Sequence, residues 1–213
     1  MFKNTFLWTG YANTLFIVLV GTVLNVLLSM VAAYCLSRKR VAAGPTIMKL
    51  LVFTMYFSGG MIPLYLVVKG VGLYGSLPTL VDTYNLIIMR TAFAGVPDSL
   101  EESAKLDGAN AWTILWRIMA PLVKPTVAVI TLYYAVSHWN SWFNAMLFLR
   151  EKTQYPLQLI LRQILIQTAG ADYLISETIQ YATVVVATLP ILCIYPFVQK
   201  YFVKGVMIGA IKG

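Results

Sequence analysis

Residues 4–37 read NTFLWTGYANTLFIVLVGTVLNVLLSMVAAYCLS, a run without one charged side chain. About 20 apolar residues cross the roughly 30 Å of hydrocarbon in a bilayer. This stretch therefore predicts a membrane helix, with its most apolar part over 14–36. Working outward, 50–68 and 178–199 carry no charge, and 125–149 is interrupted only by His138. A fifth stretch, 77–96, is apolar overall but contains Asp82 and Arg90. Composition agrees: 59% of the 213 residues are hydrophobic and 11% charged, against roughly 25% charged in an ordinary soluble domain. The expectation is an all-α, polytopic transmembrane helix bundle of about five spans, one membrane domain over 1–213.

The net charge of +8 bears first on orientation, because Lys and Arg collect on the cytoplasmic side of a membrane. With the first span running inward, Arg38, Lys39, Arg40, Lys49, Arg90, Lys105, Arg117, Lys124, Lys200, Lys204 and Lys212 fall inside. Lys3, Lys69, Arg150, Lys152 and Arg162 fall outside. This split favours a cytoplasmic 97–124 segment, a cytoplasmic C-terminus and an extracytoplasmic 150–179 loop, and it removes the case for nucleic acid as a partner. Cys35 and Cys193 both lie in apolar spans and suggest no disulfide framework. No cleavable leader pattern opens the chain, so the first span is expected to serve as its own insertion signal.

The segment 97–124 is the most locally specified. Pro97-Asp98 with Glu101 three residues on predicts a helix start with a capping box. Gly108 offers the left-handed conformation that ends helices, and Asn110 can cap a second helix from Ala111. Pro121 and Pro125 then mark the entry to the next span. The loop 150–179 mixes charges with Leu157, Leu159, Ile160 and Leu161 and is expected to fold against the membrane surface.

Within this segment stand Glu102-Ser103-Ala104, three residues, Gly108, nine residues, Ile118, one residue, then Ala120-Pro121. The pattern resembles the Glu-Ala-Ala loop of binding-protein-dependent ABC importer permeases. It keeps every spacing and replaces the family's second residue by Ser103 and the Leu before the proline by Ala120. The resemblance extends to Tyr56 through Pro63, Asp107-Gly108-Ala109-Asn110, Trp139-Asn140 with Phe143, and the tail from Tyr201 to Gly213. It is closest to the carbohydrate branch, in particular to the second permease of Gram-positive oligosaccharide systems.

That resemblance implies a coupling helix over 98–111 that docks on a cytoplasmic ATPase dimer, with Glu101, Glu102, Ser103, Ala104, Asp107, Gly108, Ala109 and Pro121 as coupling residues. It also implies a second permease subunit, an extracytoplasmic solute-binding protein and a bacterial plasma-membrane location. ATP and magnesium would sit on the partner ATPase, with no cofactor on this chain, and a sugar would be the cargo. Permeases of this branch usually have six spans, so a first helix is expected to be missing here. By the same resemblance, the 150–179 loop meets the binding protein and the tail 204–213 approaches the ATPase.

Ser137, Asn140, Ser141 and Asn144 recur at helical spacing and predict one polar face on the 125–149 span, flanked by Trp139, Trp142 and Phe143. Such a face suits a sugar pathway, since amides and hydroxyls exchange hydrogen bonds with sugars and aromatic rings stack on their apolar faces. It equally suits a helix packing seam or the aromatic belt of the interface. The lone His138 has no second ligand beside it and is read as a packing residue, Arg90 as snorkelling to the inner interface, and Asp82 as lying at headgroup level.

No paired acids, H-E-x-x-H or nucleophile with a base occurs, which disfavours an enzyme, and no G-x-x-x-x-G-K-[ST] loop occurs, so ATP hydrolysis belongs to a partner. The competing function is an ATP-independent carrier or channel for a small polar solute. That reading leaves the cytoplasmic helix pair without a purpose.

Overall fold

The structure is a computed structural model. It describes residues 5–38, 41–57, 59–73, 75, 81–168, 177–193 and 195. The tail 204–213, Lys39, Arg40 and Ser58 lie outside these. Among the described residues all regular structure is helical: α1 Thr5–Ser37, α2 Gly44–Tyr56, α3 Met61–Gly70, α4 Thr83–Ala94, α5 Asp98–Leu106, α6 Ala111–Leu122, α7 Lys124–Trp139, α8 Trp142–Phe148, α9 Leu157–Thr168 and α10 Glu177–Cys193. The chain divides into two compact units, Met1–Thr22 with Gly60–Pro78 and Ala135–Lys200, and Val23–Gly59 with Thr79–Tyr134 and Tyr201–Gly213.

The expected spans fare differently. The first coincides with α1, a single 33-residue helix, and it alone among the described residues is long and apolar enough to cross a bilayer unaided. The span expected over 50–68 is interrupted: α2 ends at Phe57 and α3 begins after Gly60, whose φ of 84° is one that only glycine adopts readily. Pro63 falls in the first turn of α3, where no helical partner for its missing N–H is needed.

The span expected over 125–149 is also two helices. Asn140 Nδ2 donates to Val136 O at 2.9 Å and Ser141 Oγ donates to His138 O at 2.7 Å. Side chains that hydrogen-bond nearby backbone compete with the helical ladder, and α7 stops there. α4 lies within the expected span 77–96, of which 77–80 lie outside the described residues, and α10 covers the expected span 178–199 as far as Cys193, with 194 and 196–199 outside the described residues.

α1 buries small and polar residues beside the apolar Leu7, Val26, Met30 and Tyr34, and leaves many large apolar ones exposed. Its buried stripe holds Gly10, Thr14, Gly21, Thr22, Asn25 and Ser29, while Phe16, Leu19, Val23 and Leu27 are exposed. In a bilayer lipid is as apolar as leucine, so the sorting follows packing and hydrogen bonding, and small and polar residues turn inward. Cys35 and Cys193 are both exposed on their helices.

In the unit starting at Val23, the core joins Val26, Met30 and Tyr34 of α1, Met89 and Phe93 of α4, Ala104 of α5, Ile114, Leu115 and Met119 of α6, and Ile130 and Tyr134 of α7. Ser29 Oγ and Tyr134 Oη share a buried 2.8 Å hydrogen bond, and Asp82 N donates to the same phenol at 3.1 Å. Asp82 is the N-cap of α4, accepting from Asn85 N at 2.8 Å. Arg90 Nε donates to Leu36 O at 3.0 Å, at the end of α1. It satisfies one of the carbonyls that the end of α1 leaves without a helical partner.

In the other unit, Leu7, Trp139, Leu157, Ile160, Leu161 and Val186 form the core. Here α9 is fastened to α1: Leu157 N donates to Thr14 Oγ1 at 2.8 Å, and Asn13 Nδ2 donates to Thr153 O at 2.7 Å. The described part of the 150–179 loop is thus an ordered helix packed on α1.

Candidate functional site

The segment 97–124 forms the two helices that its spacing predicts, α5 and α6. α5 opens after Pro97, whose extended backbone starts the helix without a side-chain cap. The capping box is therefore absent. Glu101, its expected second partner, points to Arg38 instead, with Arg38 Nε 3.0 Å from Glu101 Oε2. Lys105 Nζ also pairs with Glu101. Arg38 Nη1 donates to Asp98 Oδ1 at 2.8 Å and Nη2 to Phe93 O at 3.2 Å. One guanidinium at the end of α1 thereby holds the first turn of α5 and the last turn of α4. Its planar fork of donors makes this possible where a lysine would offer one point charge.

α5 ends in a Schellman motif. Ala109 N donates to Ala104 O at 2.9 Å and Gly108 N to Lys105 O at 3.0 Å, with Gly108 at φ 78°. Ala104 and Ala109 pack together in the core cluster, the apolar contact that accompanies this motif. Asn110 Oδ1 then accepts from Thr113 N at 2.8 Å and starts α6. The fixed distance from Glu102 to Gly108 has a local cause: a helix of this length, closed by glycine, followed directly by a capped helix. Within α6, Ile114–Met119 is π-helical, and α6 meets α7 at a bend of 87°.

This geometry sorts the expected coupling residues into two faces. Glu101, 7% exposed, and Ala104 are buried, and Ala109 is half-buried against the core. They hold α5 to its own chain. Glu102, Ser103, Asp107, Gly108 and Pro121 are exposed. Beside them Leu106 is 90% exposed and Trp112 is also exposed. Glu102 and Leu106 are four residues apart on one exposed helical face, turned away from Glu101 and Ala104.

Arg38 was legible only as one of several basic residues after the first span. The outward turn of Leu106 could have been read from helical periodicity, because Glu101 and Ala104 define the other side. The inward polar stripe of α1 was legible too, since Thr22, Asn25 and Ser29 recur at helical spacing.

The expected pathway residues do not share one helical face, because α7 stops at Trp139. Ser137 and Asn140 precede or occupy the break, Ser141 is half-buried in it, and Phe143 and Asn144 are exposed on α8. Trp139 is buried against Leu157 and Ile160, so it is a core residue. Trp142 stacks under the Arg162 guanidinium at 3.7 Å and meets Phe143 edge-on at 5.4 Å. Among the described residues no cluster of His, Cys, Asp or Glu is arranged to hold a metal.

Comparison with known proteins adds the following. Residues 42–208 match the family described as binding-protein-dependent transport system inner membrane component. The polygalacturonan/rhamnogalacturonan transport system permease protein YtcP of Bacillus subtilis is 42% identical, the alignment covering 100% of this chain and 80% of that protein. Protein LplC of the same organism is 41% identical over 94% of this chain and 72% of its own length. A chain from the crystal structure of a bacterial ABC transporter involved in the import of the acidic polysaccharide alginate superposes with a TM-score of 0.85 at 34% identity, covering 93% of this chain and 76% of that one.

Proposed function

The chain belongs to the family of binding-protein-dependent transport system inner membrane components, membrane permeases and not enzymes, and on that premise we propose that it carries an oligosaccharide inward in an ATP-driven importer. The observation that carries the reading is the two-faced α5: one side bonded to α1 and α4 through Arg38, the other presenting Glu102, Leu106 and Asp107. A helix that transmits movement needs a stiff attachment on one side and a partner surface on the other.

In this reading α5 docks on a cytoplasmic ATPase dimer that holds ATP and magnesium, and this chain holds neither. A second permease subunit completes the pathway, and an extracytoplasmic binding protein delivers the sugar. ATP binding closes the ATPase dimer and moves α5. The Arg38 contacts pass the movement to α1 and α4, and the pathway opens outward. Hydrolysis returns it to the inward state. The positive-inside split supports a cytoplasmic α5 and C-terminus in a bacterial plasma membrane. Carbohydrate as cargo is supported by the named transport roles of the relatives.

The test is sugar-stimulated ATP hydrolysis by the purified complex, with Glu102→Ala set against wild type and copurification of the ATPase scored separately. Loss of stimulation or of the ATPase, with insertion of the permease retained, is expected. Unchanged coupling, or sugar uptake without any ATPase present, would overturn the reading in favour of an ATP-independent carrier.

A further inference from the structure

Within the unit that contains α3, α8 and α9, a cavity of about 430 Å³ is lined by Lys69, Gly72, Gly75, Arg150, Glu151 and Gln154. Its size falls within the roughly 300–1,000 Å³ typical of small-ligand sites. The walls are built by two turns. After α3, Leu73 N donates to Val68 O and Gly72 N to Lys69 O, both at 3.1 Å, with Gly72 at φ 79°. This is a second Schellman closure, and it sets Lys69 in the last turn of α3, where the helix carbonyls favour a cation.

The other wall begins just after α8. Gly75 N donates to Phe148 O at 3.0 Å, and the Phe148 ring stacks on Tyr65 of α3 with centroids 6.2 Å apart. These contacts fix Lys69 and Arg150 around one space. Among the described residues the lining carries two cations, one carboxylate and one amide. Glu151 already accepts a 3.3 Å hydrogen bond from Thr153 Oγ1. Such a lining fits a ligand rich in hydroxyls that bears one carboxylate.

We propose that this cavity binds an acidic sugar unit of the transported oligosaccharide. Arg150 and Lys69 hold its carboxylate, and Gln154 and Glu151 bond its hydroxyls. An arginine fork on a carboxylate forms paired, charge-assisted hydrogen bonds, which a neutral sugar cannot replace. The proposal rests on the oligosaccharide-importer reading and deepens it: the cargo is a uronate-containing chain, and selection for its charge is made on the permease.

The experiment uses the whole membrane complex in phosphatidylcholine nanodiscs, without binding protein, titrated calorimetrically with trigalacturonate and with its methyl ester. The wild type is expected to prefer the acid by about tenfold or more, the effect of one charge-assisted hydrogen bond. In the Lys69→Gln/Arg150→Gln double variant the ratio of acid to ester affinity falls about tenfold. Lys152→Gln, a nearby cation outside the lining, keeps the wild-type ratio, and Arg150→Lys with Lys69 intact falls between.

Equal ratios in wild type and double variant overturn the proposal. So does abolition of the wild-type preference when phosphatidylglycerol is added to the discs, which would assign the cavity to lipid headgroups. If neither probe binds while a neutral oligosaccharide still stimulates ATP hydrolysis, the cavity proposal fails and the importer reading stands. If no sugar stimulates hydrolysis, the importer reading itself fails.

Discussion

Arg38 and Glu101 form an ion pair 3.0 Å apart in which each side chain is only 9% exposed. A charge so placed is tolerable while its partner is present and costly once the partner is gone. The pair therefore does more for the position of α5 than for net stability, because it admits one placement of the helix beneath α1.

Arg38→Met is expected to destabilise the protein by about 3 kcal/mol, since Glu101 is left buried and charged with Lys105 as its remaining ion-pair partner. Arg38→Met/Glu101→Met should recover most of that loss while leaving sugar-stimulated ATP hydrolysis low. Thermal unfolding of the detergent-solubilised complex reads the first effect and the hydrolysis assay the second. A double variant with full coupling would remove Arg38 from the transmission path.

At Gly108 the backbone sits at φ 78°, and a Cβ added there meets nothing within 4 Å. Any penalty for Gly108→Ala is therefore backbone strain, about 1–2 kcal/mol. Gly108→Asn should cost less, because asparagine enters the left-handed region more readily. Thermal unfolding of the three proteins should rank them Gly, Asn, Ala; an alanine variant as stable as wild type contradicts this account.

A Cβ on Gly21 would lie 2.9 Å from His138 Nε2. Gly21→Ala must displace the imidazole or the helix, at about 1–3 kcal/mol for an overpacked site. His138→Ala in the same chain makes room, so the two substitutions together should destabilise by less than the sum of the single effects. A double-mutant cycle by thermal unfolding checks the sign of that coupling.

Thr14 is fully buried, and its Oγ1 accepts the hydrogen bond of Leu157 N at 2.8 Å. Thr14→Val keeps the shape and removes the acceptor, leaving a buried N–H unpaired at a cost of about 1–3 kcal/mol. Hydrogen exchange at the Leu157 amide should quicken markedly, while amides in the middle of α4 stay protected. Equal exchange in both proteins would show that α9 does not depend on this bond.

Much of the fold was legible because its causes are local. The uncharged run that opens the chain forms one long helix, α1, since a backbone in hydrocarbon must pair its polar groups within the segment. The end of α5 at Gly108 and the start of α6 at Asn110 follow from glycine's freedom at positive φ and from an amide placed to cap a helix. The split at Asn140-Ser141 was equally local, yet polar residues at helical spacing were read there as one continuous face. Side chains that bond their own helix's carbonyls break that spacing.

The sequence by itself determined the helical membrane class, the two-helix segment between Pro97 and Lys124 and the motif within it, because hydropathy, caps and turns act over a few residues. Only the tertiary structure decided what the inward side of α5 is bonded to. Arg38 and Asp98 stand 60 residues apart, and no local rule brings Asp98, Glu101 and Phe93 O to that one guanidinium. The same holds for the cavity between Lys69 and Arg150, which exists because Gly75 and Phe148 bond across distant turns. Pairing of charges and closure of cavities are settled by packing, and packing depends on the whole chain at once.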